Sequence, residues 1–349
     1  MRPHFACTLL AFVSLCACPL LRAAEPSTTL ARVRAAGVLR CGIDVEEAEY
    51  STSDDHGNRE AFDEDLCRAV AVAVLGKDAQ VKVTQFPDDR TAMDALTGDN
   101  VDLVATLTDD FTHSEGTHIQ FTRPVLWDGI SFLLPAKSPV TSARQLSGKK
   151  ICFLAGTTVE ESVRAWFARE HLSFVPFPFS EEGEMQAAFA TGNCGALAGD
   201  QTRLAQLRAA LTEHHEQSRL LPERISKDPL AAAFRDDDQQ WGSIVNWVME
   251  ALVQAEESSV TQANVARMRA LAASPESSDP TLRFLLGGSH EIGAQLGLKD
   301  DWAVQVIEAV GNYGEIYERD LGAGSSMRLP RGENRLHSSG GLMMALPPK

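Results

Sequence analysis

The chain has 349 residues, a formal net charge of −16, 44% hydrophobic residues and 23% charged residues. This length suits about two domains of roughly 150 residues, each with enough apolar residues for a core. The acidic balance excludes nucleic acid and anionic membrane surfaces as partners, because both attract a basic face.

The first residues are typical of an export signal. Arg2 supplies the positive start, residues 5–21 are apolar and uncharged, and Ala23 and Ala24 form a small-residue cleavage site. The apolar run is short for a membrane span. We therefore expect a signal peptide at residues 1–24 and export to the periplasm. The alternative is a lipid-attachment sequence that ends at Cys18.

The first half of the remaining chain alternates strands with helices. Residues 38–43 form an apolar strand, and an amphipathic helix follows with Phe62, Leu66, Val70 and Val74 at a spacing of four. A strand at 81–83, a short helix that ends near Gly98, and a strand at 101–105 complete the pattern. This β-α-β-α-β order predicts a parallel, doubly wound α/β sheet.

Acidic residues follow the strand at 101–105. Asp109, Asp110 and Glu115 would place negative charge at the carboxyl edge of the predicted sheet, where ligands bind in such folds. The alternative is a solvated acidic loop.

A second α/β unit begins near Ser138. It has a strand at 150–154, a helix with an apolar face from Val159 to Phe167, a strand at 196–199 and a helix at 203–216. Residues 121–132 could carry a strand from one unit to the other, and the chain would return near 225–233. Apolar stripes that begin at Trp241 and Trp302 predict later helices. The Gly-, Ser- and Pro-rich tail from residue 321 predicts extended or loosely ordered chain.

Gly156, Thr157 and Thr158 join the strand at 150–154 to a helix. The free N–H groups and the dipole of a helix start attract a carboxylate or phosphate, and Gly156 would let a ligand approach the backbone. The alternative is simple N-capping by Thr157 or Thr158.

Asp200 ends the strand at 196–199. A carboxylate at this edge of a sheet can hold an ammonium group through a charge-assisted hydrogen bond. The alternative is a helix cap for the segment that follows.

Four cysteines remain after the expected cleavage: Cys41, Cys67, Cys152 and Cys194. An even number in an oxidising compartment predicts two disulfides, and three connectivities are possible. The spacing favours Cys41–Cys67 and Cys152–Cys194, each inside one unit; the alternative is four buried thiols. We expect no metal site, because there is no Cys-x-x-Cys pair and no histidine at ligand spacing.

Several stretches, in this order along the chain, match one known family. They are Val38-Leu39-Arg40-Cys41-Gly42, Phe62-Asp63-Glu64-Asp65-Leu66-Cys67-Arg68-Ala69-Val70, Gly156-Thr157-Thr158, Gly199-Asp200-Gln201, Ile225-Ser226-Lys227-Asp228-Pro229-Leu230, Thr261-Gln262-Ala263-Asn264-Val265, Val310-Gly311-Asn312-Tyr313-Gly314-Glu315-Ile316-Tyr317-Glu318-Arg319, Arg331-Gly332-Glu333-Asn334 and Gly340-Gly341. The chain resembles the family 3 extracellular solute-binding proteins, in particular the general L-amino-acid-binding proteins of polar amino-acid ABC importers. The resemblance covers about residues 31 to 345.

This resemblance implies a two-lobed, type II periplasmic-binding-protein fold with a two-strand hinge. Lobe 1 would comprise 25–134 and 228–320, lobe 2 would comprise 135–227, and 321–349 would be a tail. It also implies a monomer that captures an amino acid or related cationic solute and delivers it to an ABC permease, without a cofactor and without enzyme activity. In the family, the Gly-Thr-Thr turn holds the α-carboxylate and an aspartate at the position of Asp200 holds the α-ammonium.

One family element is absent. The family has Thr-x-x-Arg after the first lobe's strand, and its arginine binds the carboxylate. Here the stretch is Thr112-His113-Ser114-Glu115, which puts Glu115, or Ser114 if there is a one-residue gap, at the arginine position. The resemblance thus makes Asp110, Thr112 and Glu115 the candidate ligand-binding residues of this loop. A glutamate would repel that carboxylate. The ligand is then more cationic, lacks a carboxylate or is absent, unless Arg90 or Arg123 compensates. A sensor module that binds a solute, or a dehydratase-like enzyme that uses Asp109, Asp110 and Glu115, are the other functions to consider.

Overall fold

The computed structural model describes residues 28–44, 59–213, 217–274, 279–287 and 291–347. The expected signal peptide and the alternative lipid-attachment cysteine lie outside these residues. The strands of the described chain are β1 (Val38–Asp44), β2 (Gln80–Phe86), β3 (Leu103–Thr108), β4 (Ile119–Asp128), β5 (Ile130–Pro135), β6 (Lys150–Leu154), β7 (Val175–Phe179), β8 (Ala196–Asp200), β9 (Ser218–Leu220) and β10 (Asp228–Arg235).

Its α-helices are α1 (Thr29–Ala36), α2 (Arg59–Leu75), α3 (Asp89–Thr97), α4 (Phe111–Ser114), α5 (Thr158–Arg169), α6 (Glu182–Ala190), α7 (Gln201–Glu213), α8 (Gln239–Glu257), α9 (Val265–Ala272), α10 (Pro280–Leu285), α11 (Glu291–Leu296), α12 (Trp302–Val310) and α13 (Tyr313–Asp320). None of these helices is both long enough and apolar enough to cross a membrane.

The strands form two five-stranded sheets, with orders β2-β1-β3-β10-β4 and β7-β6-β8-β5-β9. We call the first sheet with its helices lobe 1 and the second with its helices lobe 2. In the first sheet the three strands of the predicted β-α-β-α-β unit, β1, β2 and β3, are parallel, as expected. In the second sheet the two predicted strands, β6 and β8, are parallel to each other, and β7, which was not predicted, is parallel to β6. The strands that enter from the other lobe, β10 and β5, pair antiparallel, so both sheets are mixed.

The core of lobe 1 forms where α2, α8, α12 and α13 pack together. Phe62 of α2 makes edge-on contacts with the rings of Tyr313 and Tyr317. The apolar stripe that begins at Trp302 belongs to two helices, because Gly311 has a φ of +89° and ends α12. Asn312 then starts α13 with a capping box.

Two disulfides link Cys41 to Cys67 and Cys152 to Cys194, with Cα–Cα distances of 6.2 and 5.8 Å. The first joins β1 to α2 in lobe 1. The second joins β6 to the loop before β8 in lobe 2. The predicted connectivity is therefore confirmed, and each disulfide lies inside one lobe.

Two segments connect the lobes side by side. β4 ends at Asp128 and the chain enters the second sheet at Ile130, ahead of the division expected at residues 134 and 135. Ile130 donates its N–H to the Ser226 hydroxyl on the returning segment at 2.8 Å. Gly129 has a φ of +150°, and a Cβ atom there would lie 2.6 Å from the Ser226 carbonyl oxygen. Glycine is therefore required where the two segments touch.

The tail from residue 321 consists of turns and two short 3-10 helices, at Gly332–Asn334 and His337–Ser339, and several of its side chains are buried, so it is not the extended or loosely ordered chain that was predicted. Asn334 accepts a hydrogen bond from the N–H of Trp127 at 2.7 Å and donates to its carbonyl at 2.9 Å, next to the lobe crossing. Arg208 of α7 donates to the carbonyls of Met327 and Arg328. The tail thus contacts both the crossing strand and lobe 2.

Candidate ligand-binding site

A cavity of about 650 Å³ lies at the carboxyl ends of β6 and β8 in lobe 2. Its lining comes from the starts of α5, α6 and α7, and Pro87 of lobe 1 also contributes. Thr157, Thr158 and Asp200 line it together. The structure therefore brings the predicted helix start and the predicted carboxylate to one cavity, at the sheet edge where open α/β folds bind ligands.

The Gly-Thr-Thr turn begins α5, and its Thr157 is the N-cap. The Thr157 hydroxyl accepts a hydrogen bond from the N–H of Glu160 and donates one to the carbonyl of Leu154 at 2.9 Å. The Glu160 carboxylate in turn accepts from the N–H of Gly156 at 2.8 Å. This bond, with that from Arg164, holds the pKa of Glu160 below its usual value. The capping alternative is correct for Thr157.

Glu160 therefore occupies an N–H group that a ligand anion was expected to take. Sequence reasoning missed it, although the Thr-x-x-Glu spacing from Thr157 to Glu160 is that of a capping box. Gly156 has a φ of +71° but is not among the residues that line the cavity. Thr158 is exposed and does line it.

Asp200 ends β8 directly before α7, and the start of α7 is capped from elsewhere. The N–H groups of Gln201 and Thr202 donate to the buried carboxylate of Asp128, at 3.1 and 3.3 Å, and the Thr202 hydroxyl donates to it at 2.5 Å. The carboxylate of the crossing strand thus holds the helix that follows Asp200.

Arg203 and Glu182 also line this cavity, and the sequence analysis did not single them out. The Arg203 guanidinium makes a two-pronged contact with the Glu182 carboxylate: Nε donates to Oε1 at 3.0 Å and Nη2 donates to Oε2. Their side chains are only 20% and 17% exposed. The pairing depends on how α6 and α7 are placed, which sequence spacing does not reveal.

The residues of this loop predicted to bind ligand, Asp110, Thr112 and Glu115, lie on or beside the short helix α4. Asp110 is its N-cap and accepts from the N–H groups of Thr112 and His113 at 2.8 and 2.9 Å. Burial raises the pKa of Asp110, but the hydrogen bonds from Thr112 and His113 outweigh it and lower the pKa. Thr112 and Glu115 are exposed. None of Asp110, Thr112 and Glu115 is among the residues that line the cavity, so their ligand role stays a prediction.

Two further side chains near the predicted site are Arg123, which could have replaced the missing family arginine, and Phe111. Arg123 donates to the carbonyl of Met344 at 2.9 Å and pairs with Glu250 at 3.5 Å, on the side of β4 that the tail covers. It is therefore committed elsewhere. Phe111 on α4 is 78% exposed, an aromatic surface beside the predicted site that sequence reasoning missed.

No family model matches the chain. It is 39% identical over 328 residues to the general L-amino acid-binding periplasmic protein AapJ of Rhizobium johnstonii, which covers 93% of this chain and 94% of the relative. It is 36% identical over 337 residues to the glutamate/glutamine/aspartate/asparagine-binding protein BztA of Rhodobacter capsulatus, which covers 96% and 98%. The chain belongs to the family 3 extracellular solute-binding proteins.

A solved structure agrees with this assignment. This solute-binding protein matches a periplasmic binding protein of an ABC transporter from Brucella ovis, with glutathione bound, at a TM-score of 0.76 and 36% identity. The match covers 91% of this chain and 98% of that one. The two-lobed type II fold is therefore confirmed, and these relatives are named as amino-acid-binding or periplasmic binding proteins.

Proposed function

We propose that the protein captures an amino acid or an amino-acid-like solute between its lobes and delivers it to an ABC permease in the inner membrane. One observation carries the proposal: Thr158 at the start of α5 and Asp200 at the end of β8 line the same cavity. A helix start suits the carboxylate pole of a zwitterion, and a carboxylate suits its ammonium pole.

The solutes named for the relatives define the first ligands to test. AapJ is a general L-amino-acid binder, BztA is named for glutamate, glutamine, aspartate and asparagine, and the Brucella protein holds glutathione. Each of these solutes carries an α-ammonium group that Asp200 would hold.

We also propose that residues 1–24 direct export and that the mature protein works as a periplasmic monomer. Two disulfides support an oxidising compartment. The two-strand connection through Gly129 and Ser226 supports lobes that close on the solute. Because β5 belongs to the second sheet, we place the first boundary between the lobes at residue 129 instead of 134, and we keep the second boundary at residue 227.

The test is a thermal-shift screen of the mature protein with the twenty amino acids, glutathione, polyamines and α-carboxamides of amino acids. A ligand that binds the folded state raises the melting temperature. We expect a shift for at least one α-amino compound in the wild type and none for it in Asp200→Ala.

The matched control is Asp78→Ala, because Asp78 is an exposed carboxylate in the loop before β2, at the opposite edge of its sheet. This control should keep the full shift. A screen without any shift, or an Asp200→Ala protein that shifts like the wild type, would contradict the proposal.

A further inference from the structure

The cavity contains a guanidinium that the proposed function has not yet used. Arg203 and Asp200 both line the cavity, and Arg203 contacts the Glu182 carboxylate there. Lobe 1, by contrast, has Glu115 where the family's carboxylate-binding arginine is expected. The predicted site in lobe 1 thus lacks the expected arginine, whereas the cavity in lobe 2 contains Arg203.

The positions of Asp200 and Arg203 suit the two poles of an α-amino acid. Asp200 directly precedes α7, and Arg203 is the third residue of that helix. Side chains three positions apart at a helix start are neighbours on one face, with Cβ atoms about 5–6 Å apart. The ammonium and the carboxylate of an amino acid are bonded to one carbon, so one compact solute can reach both side chains.

The contact between Arg203 and Glu182 shows which kind of group the guanidinium can bind. Two of its nitrogens donate to the two oxygens of one carboxylate, which is the geometry that an α-carboxylate would need. Exchange of one carboxylate for another keeps both charge-assisted hydrogen bonds. The N–H of Gly156, the other expected anion donor, is already held by Glu160.

We propose that Arg203 supplies the charged contact to the ligand's α-carboxylate beside the start of α5, and that Glu182 takes this place when no ligand is bound. This inference rests on the proposed function and specifies it: the ligand keeps a free α-carboxylate, and lobe 2 alone holds both of its poles. The solute class is therefore α-amino acids and compounds with a free α-amino-acid end, not decarboxylated amines.

Calorimetric titration of the mature protein tests this. The probes are L-glutamate, L-glutamine, L-aspartate and L-asparagine, each beside its α-carboxamide, which keeps the ammonium and the side chain. Arg203→Met should weaken binding of each acid that the wild type binds by about 10- to 100-fold, the usual worth of a charged hydrogen bond. It should change binding of the matching carboxamide by no more than about threefold.

Two further variants keep the test decisive if Arg203→Met folds poorly. Glu182→Gln removes the competing carboxylate, so binding of the acids should tighten severalfold while binding of the carboxamides stays the same. Arg203→Lys keeps the charge but loses the fork, so its affinity should fall between those of the wild type and Arg203→Met. Arg169→Met, at the exposed far end of α5, is the control and should bind as the wild type does.

The outcomes separate the two ideas. If the wild type binds an acid and Arg203→Met binds it equally well, or loses acid and carboxamide alike, the role of Arg203 is wrong and the proposed function stands. Weaker binding of the acids by Glu182→Gln would also contradict the proposed exchange of the Glu182 carboxylate for that of the ligand. If the wild type binds none of the probes and the wider screen gives no shift, the proposed function falls and this inference falls with it.

Discussion

Asp320 shows how a single buried carboxylate sets a dependence of stability on pH. Its side chain at the end of α13 is 3% exposed, and Arg319 contacts it at 3.3 Å while also pairing with Asp65 of α2. Burial, followed by repulsion from Asp65, raises the pKa of Asp320 from 3.8 to about 7, although Arg319 opposes the shift. The folded protein therefore binds this proton more tightly than the unfolded chain does.

We predict that Asp320→Asn stabilises the protein at neutral pH. Because the folded pKa is the higher one, the contribution of this group to stability is fully present below about pH 4 and is lost as pH rises to about 7. The neutral amide has no such loss. The advantage of Asp320→Asn over the wild type in free energy of unfolding should grow by about 1–2 kcal/mol between pH 4.5 and pH 8, as measured by denaturation curves at the two pH values.

Asp78→Asn, at an exposed carboxylate, is the control and should show the same difference from wild type at both pH values. If the difference between Asp320→Asn and wild type is constant with pH, the carboxylate is ionised throughout and the argument is wrong.

At the scale of the element, sequence periodicity located the parallel strands and their helices well. β1, β6, β8, α2 and α5 are long apolar or amphipathic segments, and their patterns leave little choice of structure. β7 was missed because Pro176 and Pro178 argue against a strand. It is an edge strand, where proline costs few ladder hydrogen bonds.

The site was predicted in part, and the reasons are physical. Thr157 and Asp200 were found because each follows a clear strand. Arg203 and Glu182 were missed because their contact joins two different helices, α6 and α7, whose relative placement the sequence does not show. The cap of α7 was missed for the same reason, since it comes from Asp128, 73 residues before Gln201.

That cap leads to a prediction at the same scale. Asp128→Ala should leave the start of α7 without its acceptor and lower the free energy of unfolding by about 2 kcal/mol, the upper range for a lost cap. It should also weaken solute binding, because α7 carries Arg203 and follows Asp200. Asp128→Asn, which keeps one acceptor oxygen, should lose less of both. Urea denaturation and calorimetric titration measure the two effects.

Asp279→Ala is the matched control, since Asp279 also accepts from two N–H groups, those of Thr281 and Leu282, at the start of α10. It should cost stability but leave affinity unchanged. If Asp128→Ala lowers stability and solute binds as before, α7 does not carry the site.

At the scale of the whole molecule, neither disulfide joins one lobe to the other. Cys41–Cys67 and Cys152–Cys194 each close a loop within one lobe, with sequence separations of 26 and 42 residues. Among the described residues, hydrogen bonds between the lobes include those from Gln201 and Thr202 of α7 to Asp128 of β4, and Arg208 of α7 also donates to the tail.

We predict that removing either disulfide by paired Cys→Ser substitution lowers the free energy of unfolding by about 3–4 kcal/mol, the loop-entropy value for these separations. Solute affinity should change by less than about threefold, because neither link restrains the movement of one lobe against the other. Denaturation curves and titrations of the two double variants measure this. A large loss of affinity in a variant that remains folded would show that a disulfide shapes the cavity.

The tail shows where prediction at this scale fails. Its buried residues Leu321, Met327, Leu329 and Met343 have no regular spacing, so the sequence suggested loose chain although the segment is packed. Irregular segments are positioned by tertiary contacts, which a periodicity argument does not contain.

The order of the strands also has a consequence for biosynthesis. The second sheet uses one continuous stretch, from β5 to β9, whereas β4 has no neighbour in the first sheet except β10. A chain that emerges amino end first can therefore complete lobe 2 while the ten residues of β4 still wait for a partner synthesised about a hundred residues later. We expect this unpaired strand to be the segment that a holding chaperone protects during translocation.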